Sequence, residues 1–397
     1  MKVLLYTHEF PPFLGGLATT SYKLAKGFSE SGLDARVLAP GYGAGDKDID
    51  SSLSSSVYRI PSLGSRWIKF VPFLGTVLGL FYLTVTVIRE KPDAVLFITE
   101  EAETVGGLMP WFPFKPVVRV AGSGITTAFY GSKIGKKIMR YPMKRLYLRS
   151  KLIIAVSQNT KELIESIGIS SQKIRVIYNG VEESMLSKAP DKDRIFRLRE
   201  RLGIAGSDKV LITVARVLPR KGQDTVIKAL PRIVREFPDL KYLIVGEGRY
   251  LDKFKELAHE NGVGGHVVFT GGVEHGDILD YYDLADAFIM PNRYWNNKIE
   301  GLPNALIEAS ARSKPLIAGD HGGSREAVDQ DVTGLLVDPE NVDDTARAVL
   351  AILGDEKKAA SMGEKGREKV LRSHTQGAMI ENYTQALYDA MTRDEST

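Results

Sequence analysis

Two doubly wound α/β domains, each built on a parallel sheet, are what this sequence predicts, and three observations predict them. Short apolar runs alternate with helical stretches, and the alternation completes itself twice along the chain. The apolar runs carry almost no polar alternation, as in strands buried on both faces by helices. The length, 397 residues, is also more than one hydrophobic core usually serves.

The first series begins at once with Val3–Tyr6. That run meets His8 and Glu9 too soon for the apolar core of a signal peptide, so it reads as a strand and makes the cytosolic side the default location. Ala35–Ala39, Ala94–Phe97, Val117–Val120 and Leu152–Val156 continue the series. Phe70–Ile88 is nearly uncharged and about as long as a bilayer span needs. It contains Pro72, Gly75 and Gly79, and Lys91-Pro92-Asp93 leads from it into the next strand, so it is expected to be a buried or membrane-surface helix rather than a span. The polar stretch Glu183–Arg194, with Pro190 inside it, marks the domain boundary. The expected domains are therefore residues 1–185 and 195–376, with a helix at about 377–397 that could pack back on the first. The second series is Val210–Val214, Tyr242–Val245, His266–Thr270, Ala287–Met290 and Pro315–Ala318.

A net charge of +4 hides an asymmetry. Residues 1–190 hold 24 Lys and Arg against 15 Asp and Glu; the remainder holds 29 against 34. Between Glu103 and Glu162 there are eleven cations and no acid. Lys133, Lys136, Lys137, Arg140, Lys144, Arg145 and Arg149 fall there among Ile138, Tyr141 and Leu148, a cationic amphipathic stretch suited to an anionic membrane surface or to a solvated helix face. Nucleic acid is not expected as a partner, since no reader motif accompanies the charge. Cysteine is absent, and the six histidines form no ligand pattern. Asp46-Lys47-Asp48 has a paired-aspartate spacing that could hold a metal ion but is expected to be a charged loop.

In open parallel sheets ligands bind beyond the carboxyl ends of strands, and the residues that follow each strand carry the chemistry. Gly15-Gly16 after the first strand lets backbone N–H groups approach an anion at a helix start, or forms a plain tight turn. Arg216 and Lys221 follow Val210–Val214, placed where both could neutralise one diphosphate as it leaves, or line a solvated basic loop. Gly246-Glu247-Gly248 is permissive backbone after the next strand. The strongest local signal is Glu300-Gly301-Leu302-Pro303-Asn304 with Glu308 beyond it. Pro303 suits a helix's first turn, Gly301 leaves N–H donors exposed before it, and Glu308 shares a face with Asn304. A carboxylate there can accept both hydroxyls of a vicinal diol such as ribose.

These segments resemble, in order and spacing, the large family 4 of retaining glycosyltransferases, whose GT-B fold sets two Rossmann-like domains facing across a cleft. The resemblance also runs through Ser157, Val176–Val181 and Thr333–Val337 and covers nearly the whole chain. It implies a nucleotide-sugar donor carrying UDP or GDP, with Arg216, Lys221 and the N–H groups after Glu300 on its diphosphate, Glu308 on its ribose and Glu300 on the transferred sugar. It further implies that Gly15 and Gly16 let the first domain close over the phosphates. Attack on the sugar would come from the front face, with neither an enzyme nucleophile nor a metal. Many relatives carry a histidine where Ala121 stands before Gly122 and Ser123. The acceptor side is therefore expected around His8, Gly122 and Ser123, with His8 equally suited to a structural role. The acceptor would be a glycan, a lipid-linked saccharide or a phospholipid, reached from the inner membrane face. A nucleotide-sugar epimerase, a sugar-phosphate synthase, and a non-enzymatic glycan-binding scaffold on a degenerate fold are the competing classes.

Overall fold

The structure, a computed structural model, describes residues 1–13, 15–61, 63–64, 73–131, 134–274 and 276–392. The chain forms two compact units: residues 1–179 with 376–397, and residues 180–375.

Among the described residues, the first unit holds seven strands: β1 (Lys2–Tyr6), β2 (Asp34–Pro40), β3 (Ser56–Ile60), β4 (Ala94–Phe97), β5 (Lys115–Val120), β6 (Leu152–Ala155) and β7 (Ile174–Val176). They pair in parallel in the order β3-β2-β1-β4-β5-β6-β7. The second unit holds β8 (Val210–Val214), β9 (Lys241–Val245), β10 (Val267–Gly271), β11 (Ala287–Met290), β12 (Leu316–Gly319) and β13 (Gly334–Val337), parallel in the order β10-β9-β8-β11-β12-β13. Sequence patterning finds the interior strands and the edge strand β10, and overlooks the other three edge strands, β3, β7 and β13. Of these β3 is half exposed along most of its length, so no continuous apolar run marks it.

Helices cover both faces of each sheet. In the first unit Val3, Leu5, Val37 and Leu96 meet the helix Gly16–Glu30 and the C-terminal helix Gln376–Thr392 on one face. Leu4, Tyr6, Val95 and Phe97 meet Leu74–Glu90, Glu100–Leu108 and Ile134–Arg149 on the other. The last two of these helices cross at Gly107, where a Cβ would stand 1.9 Å from the Pro142 carbonyl oxygen. No described helix is long and apolar enough to cross a membrane.

Residues 180–185, expected at the end of the first domain, group with the second unit. The Val181 N–H donates to the His374 carbonyl at 2.9 Å, and Arg312 donates to the carbonyls of Met185 and Lys188. Arg367 holds the Leu186 carbonyl at 2.7 Å. These bonds from distant residues to the segment's main chain, which leave no trace in local composition, decide its membership. The C-terminal helix, by contrast, belongs to the first unit: Arg175 pairs with Asp389 at 2.7 Å, and Phe28 and Tyr383 meet at 6.1 Å.

A Gly107→Ala substitution forces the two helices apart. It should lower the melting temperature of one calorimetric transition by the equivalent of about 1–3 kcal/mol and leave a transition of the second unit in place.

Candidate active site

In the second sheet the chain leaves β8 towards β9 and β10 on one side, whereas β11 leads to β12 and β13 on the other. The carboxyl ends of β8 and β11 are therefore neighbours at a topological switch point, where an open α/β sheet opens a crevice for ligands. The Arg216–Gly222 loop follows β8, and the Pro291–Pro303 segment follows β11.

Backbone bonds stitch these loops together. Val217 N–H donates to the Glu247 carbonyl at 2.9 Å, and Gly246 N–H to the Gly271 carbonyl at 2.8 Å. A short 3₁₀ turn, Pro219–Lys221, ends at Gly222, whose φ of +78° favours glycine and whose missing Cβ makes room for the Pro291 carbonyl, 2.1 Å from where that atom would lie. Arg293 N–H donates to the Arg220 carbonyl at 2.9 Å, and Gly323 N–H to the Glu300 carbonyl at 3.0 Å. The Arg293 side chain reaches Asp224 at 2.6 Å and the Thr225 hydroxyl at 3.0 Å.

On this frame Glu300 Oε1 is ion-paired with Lys221 Nζ at 3.0 Å and with Arg220 Nε at 3.2 Å, all three side chains being largely buried. Arg216 is exposed and has no ion-pair partner among the described residues. Burial by itself would push the Glu300 carboxyl up. The attraction of Lys221, Arg220 and, less strongly, Arg216 outweighs that and holds it at about 2. Lys221 is shifted down, first by desolvation, with Glu300 opposing the shift. Two cations contact one carboxylate and Arg216 adds a weaker attraction, so the cluster carries a surplus of positive charge.

The helix after Glu300 spans Asn304–Ala311, one residue later than the sequence implies: Pro303 stands just before it, with Gly301 and Leu302 buried behind. No side chain caps its start. Asn304, Ala305 and Glu308 form its one partly exposed face. Tyr282, fully buried, donates its hydroxyl to Glu308 Oε2 at 2.8 Å and orients that carboxylate. Of the residues the sequence singles out, Lys221 and Glu300 meet here, Arg216 stands on the same loop and Glu308 on the helix that follows; the sequence does not single out Arg220 or Tyr282. Arg220 looks like one more cation in a basic loop. Tyr282 sits in the helix Ile278–Leu284 with no motif around it.

In the first unit the switch point lies between β1 and β4. His8 follows β1; its N–H donates to the Thr99 hydroxyl at 3.0 Å, and its Nε2 lies 2.7 Å from the Tyr6 hydroxyl. Burial lowers the imidazole to about 4, so it is neutral at physiological pH. Gly15, in extended backbone, precedes the helix that starts at Gly16. Gly122, at φ +92°, precedes Ser123, whose hydroxyl donates to Glu100 Oε1 at 3.2 Å. Glu100 thus joins the expected acceptor residues, though nothing in its local sequence distinguishes it. Asp46 is not in a loop but opens the short helix Asp46–Ser51, and its Oδ2 accepts from the N–H groups of Tyr42 and Gly43.

The basic stretch divides. Lys133 lies outside the described residues, as does the side chain of Lys136. Lys137 and Lys144 are exposed. Arg145 instead donates to the carbonyls of Gly107 and Met109 and closes the end of the neighbouring helix. Arg140 donates to the Phe129 carbonyl, and Arg149 stacks over Phe112 at 5.7 Å. Of these arginines, Arg145 is tied to the neighbouring helix end, while Arg140 and Arg149 remain exposed.

Two doubly wound parallel-sheet units, with charged loops at the second switch point and an uncapped helix start beside them, make the architecture of the GT-B fold. The comparisons with known proteins agree. Residues 195–369 match the family described as glycosyl transferases group 1, and residues 14–184 match glycosyltransferase family 4. The chain is 33% identical over 380 residues, 93% of each chain, to a GDP-mannose-dependent alpha-(1-6)-phosphatidylinositol monomannoside mannosyltransferase of Mycobacterium tuberculosis. It is 33% identical over 390 residues, 95% of this chain and 97% of the other, to the protein of the same name from Mycolicibacterium smegmatis. The crystal structure of Anabaena Alr3699/HepE in complex with UDP-glucose superposes with a TM-score of 0.81 at 21% identity, covering 98% of this chain and 100% of that one. The chain belongs to glycosyltransferase family 4 and is a hexosyl-transferring enzyme.

The depressed Glu300 carboxyl ties stability to pH. Its contribution is fully present above its ordinary value of 4.5 and is lost as pH falls towards about 2. In a Lys221→Ala chain that carboxyl is less depressed. Calorimetry should then find a lower melting temperature at pH 6 and a shallower decline of it between about pH 4.5 and 2.5.

Proposed function

We propose that this enzyme transfers a hexose, with retention of anomeric configuration, from a nucleotide-diphosphate sugar to a lipid-linked saccharide or phospholipid. GDP-mannose is the first donor to test and a phosphatidylinositol mannoside the first acceptor. The observation that carries the proposal is the Lys221–Glu300–Arg220 cluster beside the unpartnered Arg216. The names of the mannosyltransferases it resembles support the donor and the acceptor.

In this reading the donor diphosphate settles on Arg216, Lys221 and the N–H groups at the start of the Asn304–Ala311 helix. Bond breaking to the anomeric carbon builds charge on the departing phosphate, and cations held in place stabilise that charge without reorganising. Glu308, oriented by Tyr282, accepts the ribose hydroxyls. Glu300 presents its second oxygen to the transferred sugar. The acceptor hydroxyl attacks from the face the phosphate leaves, and the phosphate takes its proton. Arg216 and Lys221 are proposed to supply the neutralisation that a metal ion gives other transferases. Among the described residues no cluster of three or more metal-ligating side chains occurs, and transfer in the presence of EDTA tests this part of the proposal.

We further propose that the first unit rests on an anionic membrane. Phe73, Val77, Phe81, Val85 and Ile88 are exposed and recur every three or four residues, one apolar stripe along Leu74–Glu90. Water hydrates such a stripe poorly. Lys137 and Lys144 stand on a helix of the same sheet face, beside exposed Ile138, Tyr141 and Leu148, and would meet lipid phosphates.

A thermal-shift screen should show the enzyme stabilised by its own nucleoside diphosphate and less by the others. Glu308→Ala should weaken that binding by about 10- to 100-fold. Glu300→Ala should lower kcat by about 100-fold with a smaller effect on donor affinity. Unchanged kinetics in both variants would remove the site assignment. In flotation with phosphatidylinositol vesicles, Val77→Glu with Phe81→Glu should reduce the floated fraction at every salt concentration. Lys137→Glu with Lys144→Glu should remove chiefly the salt-dependent part. A wild-type chain that stays unfloated but dimerises through the stripe would overturn the membrane proposal.

A further inference from the structure

The two cations on Glu300 are not equivalent. Lys221 holds it through a single ammonium at the end of a flexible stem. Arg220, only 7% exposed, makes two contacts on the same short segment: Nη1 donates to the Ile299 carbonyl at 3.2 Å, and Nε pairs with Glu300 Oε1 at 3.2 Å. Its own carbonyl is fixed by the Arg293 N–H. The guanidinium is therefore built into the floor of the site, and it reaches both the backbone before Glu300 and the carboxylate. Glu300 Oε1 is the carboxylate oxygen that both cations approach.

We infer that Arg220 is a positioning residue, which keeps the Ile299–Glu300 segment and its carboxylate in place when a diphosphate draws Lys221 away. The inference rests on the proposed transfer reaction and deepens it. In the empty site Glu300 supplies the negative charge that Lys221 faces. A bound diphosphate brings a larger charge to the same ammonium, and Lys221 turns to it. Without Arg220, Glu300 would then be a buried carboxylate with no close cation, and it would either take up a proton or swing out to solvent. With Arg220 the carboxylate stays ionised and aimed while Lys221 and Arg216 serve the phosphates. The consecutive residues Arg220 and Lys221 thus divide the work: one holds the enzyme's own anion, the other the substrate's.

The test uses the full chain with Arg220→Ala, Arg220→Gln and Arg220→Lys. First, the Glu300 side-chain carboxyl is followed by ¹³C NMR without substrate, its signal assigned by its loss in Glu300→Gln. Arg220→Ala and Arg220→Gln should titrate at higher pH than wild type, and Arg220→Lys should return towards it. Second, with donor and acceptor, kcat should fall by about 10- to 100-fold in Arg220→Ala, while the Kd for the nucleoside diphosphate stays within about 3-fold. Arg220→Lys should recover part of kcat. If Arg220→Ala unfolds, Arg220→Gln, which can still donate to the Ile299 carbonyl, carries the same comparison. A nucleoside-diphosphate Kd that weakens as much as kcat falls would make Arg220 a phosphate ligand and overturn the inference. An unmoved titration or an unchanged kcat would overturn it too. If wild-type enzyme transfers sugar from no donor, the proposed reaction fails, and the titration still decides whether Arg220 holds Glu300.

Discussion

Everything in the second unit follows from the side-by-side parallel pairing of β8 and β11. Parallel strands send the loops from their carboxyl ends out at one edge, and a reversal of strand order leaves the loops from those two strands diverging from a common gap. Four connections meet there, and their main chains bond to one another before any side chain is considered. The rigidity matters because the charges sit on it. A lysine and an arginine about 3 Å from one carboxylate would contribute little on a mobile surface, where water screens them. Held in a largely buried crevice they keep Glu300 ionised and leave a positive surplus for an anion.

The first unit uses charge differently. Its excess of cations is large, yet some of it is bound within the fold: Arg145 closes a helix end and Arg119 is buried on β5 with a bond to Asn179, while the exposed Arg140 and Arg149 lie over aromatic rings. The acids gather near the carboxyl end of β4 instead. Glu103 is buried on the Tyr147 hydroxyl; desolvation pushes its carboxyl well up, and that hydrogen bond offsets only part of the shift. Glu100 receives Ser123. The outward face of the helix layer carries apolar side chains beside lysines, a surface that neither water nor a purely ionic partner would satisfy.

Much of the fold is legible in the sequence, because interior strands of a parallel sheet must be apolar on both faces and the chain repeats that signature twice. The edge strand β3 is half exposed along most of its length and so leaves a weaker mark, and β7 and β13 are only three and four residues long. The site is legible in part. Glu300, Pro303, Asn304 and Glu308 are separated by spacings that only a helix start explains, and Arg216 and Lys221 stand at a strand end. His8 could be weighed but not decided from sequence, since its neighbour Tyr6 also belongs to a strand whose side chains alternate between faces.

By itself, then, the sequence determined the class of fold, the strand ends that carry chemistry and the residues with charge to offer, because periodicity and loop composition are local properties. Tertiary structure alone decided which of those charges meet. That Arg220 grips Ile299 and Glu300, 79 and 80 residues further on, that Tyr282 orients Glu308, and that residues 180–185 join the second unit depend on contacts between distant segments. Such contacts follow from the order of strands in the sheet, and no short stretch of sequence encodes that order.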